Sequence, residues 1–307
     1  MREHRTGRAV VTGASGFVGR HLVRRLLEDG WVVVAPILPE LTDAMPNRLK
    51  DAEWPLLDGV ADTVMRIMSD ARPDVVIHLA SLFRAEHGAD DVDPLVASNV
   101  LFGTQVLEGM TAAGCRSLVN IGTSWQHYRD AEYDPVCLYA ATKQALIDIA
   151  RYYVSARHLK VITLELFDTY GPWDDRPKLV PMLLEAVRRD SALCMSPGEQ
   201  LLDLLYVDDV VAAILGAVGR VTAPHRDSAG SLESFAVGAN ERVTLRRFVE
   251  LFEGVAGRSV RVRWGCRPYR TREVMVPWAG GTRLPGWSPE ITLAEGLRRT
   301  IASAGLD

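Results

Sequence analysis

The stretch Thr12-Gly13-Ala14-Ser15-Gly16-Phe17-Val18-Gly19 decides the fold of this chain. It follows a short apolar run at 8–11 and precedes a helical pattern over 21–28 and a buried-strand pattern over 31–35. Strand, glycine-rich turn, helix and strand make a βαβ unit. Glycine at the first, fourth and seventh loop positions lets the backbone turn sharply and approach a phosphate at the positive end of the next helix. The stretch therefore predicts a dinucleotide-binding site at the start of the chain.

The alternation of strands and helices continues through the first half of the chain. Further strands are predicted over 74–80, 117–122 and 161–166, with helices over 62–69, 94–113 and 139–156. This spacing predicts an α/β protein with a Rossmann-type, doubly wound parallel sheet. Ligands bind such sheets beyond the carboxyl ends of the strands, so Ser81, Thr123 and Asp168 are expected at the ligand edge.

The regular alternation ends after residue 166. The pattern then predicts a loop over 167–173, strands over 204–207 and 234–237, and helices over 179–189, 210–218, 245–256 and 293–304. Asp208-Asp209 and Thr244 are predicted helix N-caps, and the polar stretch 221–231 is a predicted linker. We expect a Rossmann domain formed by 1–170 together with about 204–238. A smaller C-terminal α/β lobe, formed by 171–203 and 239–307, is expected to bind the substrate.

Composition and charge argue against several classes of function. The 307 residues carry a net charge of -4, which gives no electrostatic case for nucleic acid or an anionic membrane as partner. No apolar run approaches the roughly 18 residues of a membrane span, and residues 1–8 lack the apolar stretch of a signal peptide, so a cytoplasmic protein is expected. The four cysteines are scattered, which favours reduced thiols. No His/Cys/Asp cluster has metal-ligand spacing, so no metal site is predicted.

A proton-transfer site is predicted around Tyr139 and Lys143. The two residues lie four positions apart on a predicted helix and therefore on one face of it. An ammonium within about 4–6 Å lowers the pKa of a phenol, which is otherwise about 10. Thr123 ends the preceding strand, and its hydroxyl can stabilise charge on the same substrate oxygen. The three residues together predict chemistry on a carbonyl or alcohol group.

With its later motifs, the chain resembles the extended short-chain dehydrogenase/reductases, in the branch of nucleotide-sugar epimerases and dehydratases. The motifs that carry the resemblance are the glycine loop and the segments 78–81, 99–104, 139–143, 170–172, 206–209 and 284–289. Within this branch, the segments 122–128, 167–172 and 196–200 are most similar to 4-ketoreductases of deoxysugar pathways, such as the CDP-abequose synthases.

The resemblance implies roles for individual residues. Tyr139 would give a proton to a sugar carbonyl oxygen, with Thr123 and Lys143 as the other catalytic residues. Ser124 could take the hydroxyl role of Thr123. The implied cofactor-binding residues are Gly13, Ser15, Gly16, Phe17, Val18, Gly19, Asp58, Leu79, Ala80, Ser81, Asn99, Ile121, Tyr139, Lys143 and Leu166. The implied substrate-binding residues are Ser124, Trp125, Asp168, Lys178 and Arg270.

Departures from the family pattern favour one branch over another. Dehydratases carry an Asp-Glu pair directly after the catalytic Thr, whereas this chain has Ser124 and Trp125, so dehydration is not expected. No acid closes the predicted second strand, which favours NADP(H) while NAD(H) stays possible; Arg20 and Arg48 are the nearest cations. Leu202 stands where the family usually has Arg, and Asp168 where it has Asn.

Three functions remain open at this point. The first is NAD(P)H-dependent reduction of the 4-keto group of a nucleotide-activated 6-deoxy-4-ketohexose. The second is a nucleotide-sugar 4-epimerase with tightly bound NAD, and the third is a catalytically silent nucleotide-binding protein on the same fold. The expected partner is a nucleotide-diphosphate sugar. The resemblance also implies a homodimer formed through the helices at 94–113 and 139–156.

Overall fold

The computed structural model describes residues 7–44, 49–223 and 229–306. Its centre is a six-stranded parallel sheet, and the strands lie in the order β2 (Val32–Val34), β1 (Arg8–Thr12), β3 (Val75–His78), β4 (Ser117–Thr123), β5 (Lys160–Leu166) and β9 (Ser231–Val237). The chain passes from β1 outward to β2 and then back across to β3. The strand order therefore reverses between β1 and β3, which opens a crevice there. The predicted Rossmann-type, doubly wound parallel sheet is confirmed.

Helices cover both faces of this sheet. One face packs against α1 (Phe17–Glu28) and α7 (Val207–Thr222), and the other against α2 (Ala61–Ala71), α4 (Phe102–Ala113) and α5 (Leu138–Arg157). Because β1 and β3 are buried on both sides, their sequences are continuous apolar runs rather than alternating ones. The helix α3 (Val92–Val96) leads through one π-helical turn, Ala97–Leu101, into α4.

The C-terminal residues build a smaller group of strands and helices. Its strands are β10 (Arg242–Thr244), β8 (Leu201–Tyr206) and β6 (Asp168–Tyr170) in one sheet, and β11 (Val262–Trp264) with β7 (Leu193–Met195) in another. Its helices are α6 (Leu179–Arg189), α8 (Leu245–Ala256) and α9 (Leu293–Ser303). They share an apolar core that includes Leu183, Phe248 and Leu297, and Phe17 of the glycine loop also packs into it.

Several predictions for this half were confirmed and others were wrong. The helix at 179–189 is present, and the Thr244 hydroxyl caps α8 by accepting from the N–H of Arg247 at 3.2 Å. The segment predicted as a loop contains β6, which pairs with β8. Asp209 does not cap α7; its carboxylate instead accepts from the backbone N–H groups of Glu290 and Ile291, each at 3.0 Å. Residues 224–228 of the predicted linker lie outside the described residues, as does Arg48.

The prediction that all four cysteines are reduced thiols was wrong. Cys194 and Cys266 form a disulfide with a Cα–Cα distance of 5.6 Å, across 72 residues of sequence. The parallel pairing of β7 with β11 brings these distant residues together, which scattered spacing cannot reveal. Cys115 and Cys137 are free. Among the described residues, no helix is long and apolar enough to cross a membrane. The cytoplasmic location stays a prediction.

Candidate active site

The glycine loop lies pressed against the segment that follows β3. Gly13 has a φ of +69°, and a Cβ atom on it would stand 2.5 Å from the backbone nitrogen of Ala80. A Cβ atom on Gly19 would stand 2.2 Å from the carbonyl oxygen of Gly13. Because distances this short leave no room for a side chain, the loop can turn this tightly only with glycine at both positions.

The N-terminus of α1 is free to receive an anion. Gly16 is its N-cap residue, with extended backbone and no side-chain cap, and the first turn carries no acidic residue. The unpaired N–H groups and the positive end of the helix dipole suit a pyrophosphate. Phe17 points into the C-terminal core, where the guanidinium carbon of Arg176 lies 4.4 Å from its ring centroid. The loop residues fit a dinucleotide, whose phosphates would lie against Gly13, Ser15, Gly16, Val18 and Gly19.

Buried polar side chains fix the end of β3. The Nδ1 atom of His78 lies 2.8 Å from the hydroxyl oxygen of Thr12, so His78 is a hydrogen-bonded strand residue, as predicted. Asn99 lies in the π-helical turn and accepts from the N–H of Leu82 at 2.7 Å. Its amide nitrogen donates to the Leu82 carbonyl and to the Thr142 hydroxyl, both at 2.9 Å. Asn99 thus holds the segment after β3 against α5.

The Tyr139 hydroxyl reaches this same segment. Leu79 and Ala80 donate their backbone N–H groups to Thr12, at 3.1 and 3.3 Å. The next residue, Ser81, donates its hydroxyl to Asn99 at 3.2 Å and is hydrogen-bonded to Tyr139. Because Ala80 also touches Gly13, the Tyr139 hydroxyl lies near the mouth of the glycine loop.

Lys143 does not lower the pKa of Tyr139, contrary to the sequence prediction. Burial raises the pKa of Tyr139 to about 12, and the opposing hydrogen bond from Ser81 does not compensate. Lys143 is only 1% exposed, and burial lowers its pKa to about 8. Its charge acts on His78, whose pKa is lowered to about 3 by burial and, to a smaller extent, by Lys143. The spacing of four residues placed the pair on one face but could not show how strongly both groups are desolvated.

The structure separates the two candidate hydroxyls. The Thr123 oxygen accepts from the N–H of Trp125 at 3.3 Å, and the Thr123 N–H donates to the Gln126 side chain at 3.0 Å. Thr123 therefore caps the short 3-10 turn Ser124–Gln126. Ser124 lines the adjoining cavity, and no hydrogen bond of its hydroxyl occurs within the part of the chain that the structure describes.

The cavity has a volume of about 340 Å³ and is formed mostly by segments outside the main sheet. All five predicted substrate residues line it: Ser124, Trp125, Asp168, Lys178 and Arg270. The Lys178 ammonium lies 3.5 Å from Asp168 and 4.0 Å from the ring centroid of Phe83. Arg270 donates to both carboxylate oxygens of Glu273, at 3.1 and 2.8 Å, which raises its pKa. Phe83 packs edge-on against Tyr139, with 5.0 Å between the ring centroids.

Sequence reasoning missed part of the cavity wall. Phe83 and Trp278 carry no motif, and Trp278 stacks on His127 with 3.8 Å between the ring centroids. Nε2 of His127 lies 3.4 Å from the buried carboxylate of Glu165. Burial alone would lower the pKa of His127, but the hydrogen bond and charge of Glu165 outweigh it and raise the pKa. Arg176 was also missed, although it lies directly after the predicted motif at 170–172.

Three predicted cofactor residues lie away from these contacts. Asp58 accepts from the N–H of Val60 at 3.0 Å and from the Thr63 hydroxyl at 2.8 Å, which lowers its pKa and occupies its carboxylate at the start of α2. Ile121 and Leu166 lie near the carboxyl ends of β4 and β5. Their contact with a cofactor stays a prediction.

The cation proposed for a 2′-phosphate is engaged elsewhere. Arg20 donates to the Trp173 carbonyl at 2.8 Å and to Asp175 at 3.0 Å. Its guanidinium therefore faces the loop after β6. The expectation of NADP(H) finds no support in the described residues.

Comparisons with known proteins agree with this geometry. The chain is 26% identical over 298 residues to a CDP-abequose synthase of Salmonella typhimurium, covering 95% of this chain and 96% of the relative. It is 27% identical over 316 residues to a UDP-glucose 4-epimerase of Mycolicibacterium smegmatis, covering 96% and 97%. Among solved structures, MoeE5 in complex with UDP-glucose and NAD superposes with a TM-score of 0.81 at 25% identity, covering 97% of this chain and 99% of that one.

The family model described as the NAD dependent epimerase/dehydratase family matches residues 9–228, which include the glycine loop, Tyr139 and Lys143. The chain belongs to the NAD dependent epimerase/dehydratase family.

Proposed function

We propose that this protein uses a reduced nicotinamide cofactor to reduce the 4-keto group of a nucleotide-activated 6-deoxy-4-ketohexose. The observation that carries the proposal is the position of the Tyr139 hydroxyl, bonded to Ser81 beside the glycine loop and packed against a wall residue of the cavity. No acid follows either candidate hydroxyl, because positions 124–126 are Ser, Trp and Gln. The chain therefore lacks a group there that could remove the C5 proton in a dehydration. The likeness to CDP-abequose synthase supports the same substrate class.

Each active-site residue has one task in this proposal. Bound reduced nicotinamide would supply the hydride. Tyr139 gives its proton to the sugar carbonyl oxygen, and the Ser124 hydroxyl donates a hydrogen bond to that oxygen as charge develops on it. We assign this second role to Ser124 rather than Thr123 because the Thr123 oxygen caps a turn while Ser124 lines the cavity. The buried ammonium of Lys143 supplies positive charge behind Tyr139, where it favours a cofactor ribose hydroxyl and the phenolate that remains.

We propose NAD(H) as the cofactor. The end of β2 offers neither an acid nor a cation in the described residues, and Arg20 is turned toward the loop after β6. The likeness to MoeE5, solved with NAD, favours NAD(H) over NADP(H).

The test is reduction of nucleotide sugars by the purified protein. CDP-, UDP-, GDP- and dTDP-linked 6-deoxy-4-ketohexoses are each supplied with NADH or NADPH, and cofactor oxidation is followed. Tyr139→Phe should lower kcat by about 100- to 10,000-fold, because the proton donor is lost while the ring still packs. Tyr133→Phe, at an exposed tyrosine outside the cavity wall, is the matched control. Failure of all four sugars to oxidise either cofactor would refute the proposal.

A 4-epimerase is the second candidate, favoured by the likeness to UDP-glucose 4-epimerase. In this case NAD would co-purify in stoichiometric amount, and turnover would leave it oxidised. Interconversion of a sugar at C4 without net cofactor consumption would establish this activity in place of reduction. A protein that binds the cofactor and shows neither activity would be the catalytically silent alternative.

We further propose a homodimer through the helices from α3 to α5. Val92, Val96 and Leu101 are exposed along α3 and the π-helical turn, and Tyr152 is exposed on α5. Exposed apolar side chains on neighbouring helices are typical of an interface between subunits. Light scattering coupled to gel filtration should give twice the chain mass, and Leu101→Lys should shift the protein toward the monomer.

A further inference from the structure

The cations of the cavity wall differ in whether an acid already neutralises them. Arg270 is held by Glu273, and Lys178 by Asp168. The Arg267 guanidinium has no hydrogen bond or ion pair to any residue within 7–44, 49–223 and 229–306, although it too lines the cavity. An unpaired arginine can offer its full set of donors to an anion without first releasing a carboxylate.

The backbone of Arg267 is fixed on both sides. Its N–H donates to the carbonyl of Met195 at 3.2 Å, and the preceding residue, Cys266, is bonded covalently to Cys194. Both attachments lead to β7, which pairs with β11 in parallel. Cys194 and Met195 themselves line the cavity. A side chain held in this way loses less conformational entropy when it binds a ligand.

An arginine is also missing where the family usually supplies one. Leu202 occupies that position and lines the same cavity. A leucine cannot bind an anion, and Arg270 is already paired. The cavity therefore needs another group if its ligand carries a diphosphate.

We propose that Arg267 is the main anchor for the diphosphate of the substrate, and that the Cys194–Cys266 disulfide positions it. The inference rests on the proposed function for the class of ligand, a nucleoside diphosphate sugar. It adds that affinity depends on the thiol redox state. A dithiol reductant transfers two electrons and two protons to the bond, giving two thiols while the reductant becomes a disulfide. The segment after β11 is then held at this end by hydrogen bonds alone.

The first experiment measures binding without turnover. Calorimetric titrations with UDP and CDP, and with uridine and cytidine, isolate the contribution of the diphosphate. Arg267→Met should weaken nucleoside diphosphate binding by about 10- to 100-fold and leave nucleoside binding unchanged, while Arg267→Lys should recover part of the loss. Arg263→Met is the matched control, because Arg263 is exposed four residues earlier and does not line the cavity. Unchanged UDP and CDP affinity in Arg267→Met, or no binding of either by the wild type, would overturn the inference.

The second experiment tests the disulfide. Cys266→Ser, or treatment of the intact protein with dithiothreitol, should raise the apparent Kd for UDP and CDP by about 3- to 10-fold with NADH binding unchanged. Neither change should weaken binding further in the Arg267→Met background, because the disulfide acts through Arg267. Equal losses in both backgrounds would refute the positioning role. Wild-type protein that binds UDP or CDP but reduces no 4-keto sugar would refute the proposed function and leave this inference standing.

Discussion

The glycine-loop edge and the substrate cavity achieve recognition in different ways. At the loop edge the backbone makes the site, since Gly13 and Gly19 leave no room for a Cβ atom and α1 begins with free N–H groups. In the cavity, side chains from distant segments make the site, and most of their charges are held by ion pairs. The first region should tolerate almost no change of shape. The second should change its ligand preference when single side chains change, with the fold intact.

The largest expected effect is at the loop edge. Gly19→Val should destabilise the protein by more than about 4 kcal/mol or abolish cofactor binding, because its Cβ would overlap the Gly13 carbonyl. Gly219→Ala is the control, since Gly219 is an exposed residue of α7 with nothing within 4 Å of its Cβ position. That variant should gain about 0.5–1 kcal/mol. Thermal unfolding and NADH titration measure both. A Gly19→Val protein that folds and binds cofactor normally would break the comparison.

The next effect separates the two hydroxyls. Ser124→Ala should lower kcat by about 100- to 1,000-fold if its hydroxyl stabilises the carbonyl oxygen, with little change in thermal stability. Thr123→Val should instead cost about 1 kcal/mol of stability through loss of the cap, and change kcat less. Steady-state kinetics and urea unfolding on both variants check this pair. The reverse ranking of the two kcat values would return the role to Thr123.

Lys143 should show a conflict between stability and function. Its pKa in the folded protein is about 8, below the ordinary value of 10.5, so the folded state opposes the charged form. The resulting destabilisation is fully present below pH ~8 and fades between pH ~8 and ~10.5. Lys143→Met should therefore stabilise the cofactor-free protein by up to about 3 kcal/mol at neutral pH while it lowers turnover. Urea unfolding at neutral and alkaline pH measures the gain, which should shrink at high pH. A less stable variant at neutral pH would contradict the prediction.

The smallest effect concerns the cavity wall. Because the folded state raises the pKa of His127 above its ordinary 6.5, its bond to Glu165 stabilises the protein fully below pH ~6.5. That contribution is lost as the pH rises through the raised pKa, and it should not exceed the roughly 1.5–3 kcal/mol typical of a hydrogen bond to a charged group. His127→Gln should flatten this part of the pH profile of unfolding free energy. An identical profile in the variant would show that the pair contributes nothing.

Local patterns predicted the loop edge well and the cavity poorly. The glycine spacing, the buried strands and the Tyr139–Lys143 face each lie within one short segment, so their geometry follows from local rules. β6 was missed because it is three residues long and becomes a strand only by pairing with β8. The disulfide and Phe83, Arg176 and Trp278 depend on contacts between distant segments. The direction of the Tyr139 pKa was also missed, because burial is a property of the whole fold.

The π-helical turn before α4 has a consequence for the length of the chain. Deleting one residue within Ala97–Leu101 would restore regular α-helical bonding and rotate the helix on one side of the deletion by about 100° relative to the other. The carboxamide of Asn99 could then no longer meet both Leu82 and Thr142. A shorter, more regular helix would release Ser81, and with it the partner of the proton donor. Helical regularity is thus sacrificed at this turn for the alignment of two neighbouring segments.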